Sequence, residues 1–256
     1  MFGAVVVGIG TAGWVRIRDM LAPLSGSPAE KLAVRGFISR SLDTQHGSEE
    51  DIHVAFICTD NISHEDSVRT FLQAGKHVCV EYPMTVSYKA AVELWDIAKE
   101  KGVILHEEHI ELLTEDYKEG TLHFTGGALK PGFGFPAFSG IARLTWLVEL
   151  FGELSVTAAS MEENSGNYSK MTTSDVDRGT GPGLPRAKNI NFQFESCTLT
   201  QIPPAPRGAV GLFMQDLIHF SAKLMGQVSP EELQREKIRI LHCLELAEKI
   251  QQLCQN

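Results

Sequence analysis

The sequence predicts an α/β protein in two parts: a parallel sheet wound with helices over residues 1–110, then an α+β part over 111–256 with a large, mostly antiparallel open sheet. Three observations predict it. The first 110 residues alternate short β-branched runs with stretches of helical spacing, the pattern of βαβ units. The remainder replaces that alternation with closely spaced strand candidates. A chain of 256 residues also exceeds the usual extent of one hydrophobic core.

In the first part, buried strands are predicted at 5–7, 34–39, 53–58, 77–80 and 103–106. Helices are predicted at 12–21, 63–74 and 87–101, where apolar residues recur every three or four positions. Gly75 and Gly102 follow the second and third helices, where a helix C-terminus favours a residue with positive φ. In the second part, strands are predicted at 121–125, 154–161, 169–175, 189–194 and 197–202, with an apolar helix over 141–150. Ser229 as N-cap, with Pro230 at the first helical position, opens a long amphipathic helix to about residue 254.

Apolar residues make up 43% and charged residues 21% of the chain, the balance of an ordinary globular protein. No apolar run approaches the roughly 18 residues of a membrane span, and residues 1–10 read as a strand rather than a secretion signal. A cytoplasmic protein that binds no membrane is expected, and a monomer. The net charge of -9 argues against nucleic-acid binding, which needs a basic face. An anionic substrate would have to be met by a few local Arg and Lys side chains. The cysteines Cys58, Cys79, Cys197, Cys243 and Cys254 are odd in number and widely spaced, which suits a reducing compartment.

Gly8-Ile9-Gly10-Thr11-Ala12-Gly13 follows the first strand directly and opens the first helix. In that context the glycines serve the tight turn, the approach of backbone to a pyrophosphate, and the packing of helix on strand, so a Rossmann-type dinucleotide site is expected. The second strand ends Ser39-Arg40-Ser41, where an NAD site usually has a carboxylate for the ribose hydroxyls. A guanidinium flanked by hydroxyls suits a 2′-phosphate instead. NADPH is therefore the expected cofactor, with NADH possible.

Two further stretches are specific: Asn61-Ile62-Ser63-His64 after the third strand, and residues 74–83 across the fourth, ending Glu81-Tyr82-Pro83. With the glycine turn they resemble the glucose-fructose oxidoreductase / inositol dehydrogenase superfamily. Most members read Glu-Lys-Pro there, with the Lys in the active site, whereas this chain has Tyr82. Its departures are those of the biliverdin reductase family, which it resembles at length: Glu81 to Thr85, His106 to His109, residues 133–140, Arg143 to Val148, residues 150–154 and His242-Cys243-Leu244. Against that family the chain looks short at 41–51 and 117–120.

The resemblance implies reduction of biliverdin to bilirubin, with hydride arriving at the central methine bridge and a proton at a pyrrole nitrogen. The cofactor carries the hard chemistry while the protein stacks, orients and polarises. Arg143, Tyr82 and Glu81 are the candidate catalytic residues. Arg143 would polarise a lactam oxygen or hold a propionate, since a guanidinium does not readily release a proton. Tyr82 either donates a hydrogen bond or stacks on the planar tetrapyrrole; a phenol with a pKa near 10 is a poor acid unless tuned. Gly8, Gly10, Thr11, Ala12, Gly13, Ser39, Arg40, Asn61, His64 and Glu81 are expected around the cofactor. Tyr82, Glu107, Glu108, Arg143, Arg186 and Lys188 are expected around the substrate. Glu107 and Glu108 read equally as a solvated helix start, Arg186 and Lys188 as a solvated strand edge, and His64 as a satisfied polar side chain. The family has been credited with zinc where this chain has His242, Cys243 and Cys254, but residues eleven apart on one straight helix do not ordinarily share a tetrahedral ion. No metal is expected.

Two other readings compete. A sugar or dihydrodiol dehydrogenase of the same superfamily should carry the Lys that Tyr82 replaces. A non-catalytic NADP-binding scaffold or redox sensor would bind cofactor without turning over a tetrapyrrole.

Overall fold

The structure, a computed structural model, describes residues 1–39, 49–109 and 210–255, six strands between residues 121 and 199 by their backbone, and positions 144, 145, 148, 149, 153, 155 and 156. It divides into two compact units, one of Met1–Leu113 with Gly208–Ile238, the other of Thr114–Arg207 with Arg239–Asn256.

In the first unit, β1 (Phe2–Val7), β2 (Leu32–Ile38), β3 (Val54–Ile57), β4 (His77–Val80) and β5 (Leu105–Glu107) form a parallel sheet in the order β2-β1-β3-β4-β5. All five predicted strands are present. β3 and β4 are buried along their whole length, as strands covered on both faces must be, which is why they read as unbroken apolar runs. α1 (Thr11–Leu21), α2 (Asn61–Gln73) and α3 (Tyr88–Lys101) are the three predicted helices. α3 begins where the Ser87 hydroxyl accepts the Ala90 N–H at 3.3 Å. α2 and α3 are followed by Gly75 and Gly102 at φ +70° and +63°, the left-handed conformation expected of both.

A fourth helix of this unit was not expected. α4 (Leu212–Leu224) brings Met214, Leu217 and Phe220 into one core with Ala4 and Val6 of β1, Ile17 and Met20 of α1, Val54 and Phe56 of β3, and Cys79 of β4. Phe220 meets the edge of Phe56 with ring centroids 5.5 Å apart and stacks on His106 at 5.4 Å. Leu217 and Phe220 are fully buried, and each contributes roughly 1.5–3 kcal/mol by leaving water. The C-terminal part of the chain thus completes the N-terminal sheet. β1 lies between β2 and β3, so the chain crosses it between those strands; the described part of that crossing is a 3-10 turn at Glu49–Asp51.

The second unit holds a sheet in the order β11-β10-β6-β9-β8-β7, made of β6 (Thr121–Gly126), β7 (Ala159–Asn164), β8 (Tyr168–Thr173), β9 (Val176–Thr180), β10 (Lys188–Gln193) and β11 (Thr198–Leu199). Every pairing is antiparallel except β6 with β9, so the sheet is mostly antiparallel, as expected. β9 was not foreseen, because Val176-Asp177-Arg178-Gly179-Thr180 has weak strand character of its own. It is a strand because β6 and β8 pair with it on both sides. The strand expected at 154–161 forms later, as β7, and residues 155 and 156 lie outside it. Residues 144, 145, 148 and 149 are helical, within the helix expected at 141–150. α5 (Pro230–Gln255) opens as expected, with the Ser229 hydroxyl accepting the Glu232 N–H at 3.1 Å.

Candidate active site

Parallel sheets offer a ligand crevice beyond the carboxyl ends of their strands, and in the first unit those ends carry the residues singled out from the sequence. After β1, Gly8 turns the chain at φ +88° while its N–H bonds the Ile38 carbonyl at 2.9 Å. A Cβ on Gly8 would stand 2.6 Å from the Cys58 carbonyl oxygen, and one on Gly13 would stand 2.0 Å from that of Gly8. Both glycines are therefore demanded by backbone packing. Beside Gly10 there is open space, with nothing within 4 Å of where a Cβ would stand. It lies at the start of α1, whose first turn has no acidic residue and no side-chain cap, an arrangement suited to a phosphate. Thr11 and Ala12 begin that helix, and Ser39 stands just past β2. Arg40 lies outside the described residues.

After β3, Asn61 opens α2. His64, one turn in, is fully buried, with Nδ1 2.8 Å from the Pro83 carbonyl and Nε2 3.0 Å from that of Thr59. Burial lowers its pKa against the pull of the two carbonyls. Of its two readings, the satisfied buried side chain is the one that fits, and it ties the loop after β3 to the loop after β4.

After β4 come Glu81, half-buried Tyr82 and Pro83, the last two joined by a cis peptide bond. The Met84 N–H bonds Glu107 Oε2 at 2.6 Å. Glu107 and Glu108, at the end of β5, are both buried, so neither forms a solvated helix start. Glu107 instead holds the backbone just beyond Tyr82.

Beneath this edge runs a chain of buried charges that sequence reasoning missed. Arg16 of α1 is fully buried; its Nε and Nη2 both donate to Glu81 Oε1 at 3.2 Å. Its Nη1 stands 2.7 Å from Asp216 Oδ2 of α4 as an ion pair without an aligned hydrogen bond. Asp216 Oδ1 lies 2.9 Å from His106 Nε2, and His106 Nδ1 lies 2.7 Å from Lys223 Nζ. Lys223 pairs with Glu236, which also meets His219 Nε2 at 2.7 Å. Burial opposes the charge on Asp216, but Arg16 and His106 outweigh it and hold the carboxyl below its usual range. Burial, then Lys223, lowers His106 to a pKa of about 4. Burial pushes the Glu81 carboxyl and the Cys58 thiol up. The available signal was a charged residue on an apolar helix face: Arg16 beside Ile17 and Met20, and Asp216 beside Leu217 and Phe220.

Cys79, His106 and Asp216 also lie close enough to share a metal ion, as do His219, Glu232 and Glu236. Neither group suits one. Arg16 and Lys223 already bind the first at both ends, and Lys223 holds Glu236 in the second. His242 approaches Glu245 at 3.5 Å and Cys243 is buried on α5, while the Cys254 side chain is outside the described residues. Arg143 and Arg186 are outside them too, and Lys188, the first residue of β10, is described by its backbone alone.

Comparison with known proteins finds two family models along the chain. A family model described as an oxidoreductase family with an NAD-binding Rossmann fold matches residues 2–109, and one described as biliverdin reductase, catalytic, matches residues 107–206. The chain is 47% identical to biliverdin reductase A of Mus musculus and 46% to that of Homo sapiens, each across 99% of this chain and 96% of the relative. The mouse alignment runs over 287 positions against the 256 residues here, so this chain is gapped where the relative carries additional residues. Among solved structures, biliverdin reductase of Synechocystis sp. PCC 6803 in complex with biliverdin and NADP+ matches with a TM-score of 0.70 at 20% identity over 99% of both chains. A UDP-N-acetylglucosamine 3-dehydrogenase of Acidithiobacillus ferrooxidans matches with a TM-score of 0.73 at 12% identity over 99% of this chain and 98% of its own. Those two likenesses speak for the fold alone. Nearly half identical to its mammalian relatives over almost its whole length, this chain belongs to the biliverdin reductase A family.

Proposed function

We propose that the chain is an NADPH-dependent reductase that converts biliverdin to bilirubin in the cytoplasm, acting as a monomer. The observation that carries this reading is near-half identity to biliverdin reductases A over 99% of the chain, joined to a sheet whose carboxyl edge gathers the glycine turn, Glu81 and Tyr82. Residues 1–110 serve the cofactor and 111–256 the substrate, except that Gly208–Ile238, with α4, packs in the first unit. NADPH, when bound, supplies the hydride for the central methine bridge.

The chain's own residues bind, orient and polarise. Gly8, Gly10, Thr11, Ala12 and Gly13 cradle the pyrophosphate against the N-terminus of α1, and Ser39 with Arg40 receives the 2′-phosphate. Asn61 and Glu81 edge the nicotinamide side, and His64 shapes the two loops between them. Tyr82 packs against the tetrapyrrole, held by the backbone that Glu107 anchors through Met84. Arg143 meets the electron density that builds on the bilin, and Arg186 and Lys188 meet its propionates, with Glu108 near the substrate edge. Mixing the protein with biliverdin and NADPH should convert the green pigment to yellow with loss of NADPH absorbance. Unchanged pigment beside bound NADPH would overturn the proposal.

A further inference from the structure

We propose that Arg16 and Asp216 are positioning residues for Glu81: the shared guanidinium fixes one oxygen of Glu81 and, balanced by the charge of Asp216, sets whether that carboxyl carries a proton. The inference rests on the reading above, in which Glu81 lines the site.

Three features of the geometry carry it. One buried cation serves two carboxylates from opposite sides, Glu81 through Nε and Nη2 at 3.2 Å and Asp216 through Nη1 at 2.7 Å. Among the described residues the side-chain hydrogen bonds of Glu81 all fall on Oε1, those from Arg16 and one from the Cys58 thiol at 3.9 Å. Asp216 has a second partner in His106, and among the described residues Glu81 meets no cation but Arg16, so Asp216 is the better stabilised of the two carboxylates. A single guanidinium cannot fully neutralise two carboxylates in a medium of low dielectric, and the less favoured one retains its proton to higher pH.

Among the described residues the groups that act on Glu81 are Arg16 from α1, Cys58 after β3, Cys79 on β4 and Asp216 from α4. Both cysteines are thiols held above their usual range by burial, so they add no charge near neutrality. Glu108, after β5, acts on the same Arg16 and on Cys58. Reduction of a methine bridge takes up one proton with each hydride, so the occupancy of a carboxyl on the site edge bears on the rate. Asp216 reaches this place only because α4, from the far end of the sequence, lies on the sheet of the first unit.

The two partners act on Glu81 with opposite sign, and the test uses that. The full-length protein is labelled with 13C at glutamate side-chain carboxyls and titrated by NMR, and the Glu81→Gln spectrum assigns the Glu81 resonance by its loss. Asp216→Asn frees the guanidinium for Glu81 and should lower its midpoint by about 1 pH unit, whereas Arg16→Gln should raise it by at least as much. If Arg16→Gln does not fold, Arg16→Lys, which keeps a cation but cannot span both carboxylates, should give a smaller rise. The pH at half-maximal turnover should follow the same shifts, while a merely structural role would lower turnover at every pH without moving that midpoint. A Glu81 midpoint unmoved by Asp216→Asn, or moved the same way by both substitutions, overturns the inference. Opposite shifts in a protein that leaves biliverdin unreduced would defeat the functional reading and leave the pairing intact.

Discussion

Arg143 should carry the largest single effect on turnover, because the protein as a whole is acidic and the reacting bilin needs a local fixed cation. Arg143→Ala is expected to lower kcat by roughly a hundredfold, the usual loss for one preorganised electrostatic donor, while Tyr82→Phe should cost less than about tenfold if the phenol positions the ring. Steady-state rates with biliverdin separate the two, and wild-type turnover in Arg143→Ala would remove the residue from the site. Arg40→Ala should weaken NADPH by roughly 1.5–3 kcal/mol, the worth of a charge-assisted hydrogen bond, and leave NADH nearly unchanged. Equal losses in titrations with both cofactors would contradict that. Legibility at this scale followed local chemistry. Gly8 and Gly13 could be read because their demand is backbone geometry set by the next few residues, and Glu81-Tyr82-Pro83 because it directly follows a recognisable strand. Arg16 could not, because its partners Glu81 and Asp216 lie 65 and 200 positions away and only the fold brings them together.

At the scale of elements, helices and strands with strong periodicity were legible, and those formed by their neighbours were not. α2 and α3 end at glycines in the left-handed conformation, so their limits were visible in the sequence. β9 has charged residues and a glycine and exists through its pairing partners. α4 has Leu217 and Phe220 at helical spacing, but its place in the first unit depends on packing against β1, β3 and α1 from the other end of the chain, which local sequence does not carry. Its placement makes a prediction that a division at residue 110 would not. Leu217→Ala removes a fully buried side chain from the core between α4, α1 and the parallel sheet, so it should destabilise the cofactor-binding unit by about 2–5 kcal/mol. Denaturant unfolding with and without NADPH measures this. A loss below about 1 kcal/mol would mean that α4 does not pack there.

Across the whole molecule, the first unit is made of two stretches of chain, Met1–Leu113 and Gly208–Ile238, joined by buried charges as well as by apolar contact. That junction makes stability depend on pH. Burial and Lys223 lower His106 from its ordinary pKa of 6.5 to about 4, so the unfolded chain binds a proton near pH 6.5 that the folded chain refuses until about pH 4. The stability conferred by neutral His106 is complete above about pH 6.5 and lost as pH falls through that window, a change on the order of 3 kcal/mol. Asp216 and Glu236, both held below the usual carboxylate range, extend the loss to lower pH. Urea midpoints measured from pH 7 to 4 should fall in the wild type and fall less in His106→Gln; equal slopes would contradict the buried chain of charges. The central claim is that this chain reduces biliverdin with NADPH, and single-turnover mixing of the NADPH-loaded protein with biliverdin tests it most directly. The account predicts one bilirubin formed for each NADPH oxidised, at a rate cut roughly a hundredfold by Arg143→Ala. Tight NADPH binding with no bilirubin formed, or NADPH oxidation that leaves biliverdin unreduced, would contradict it.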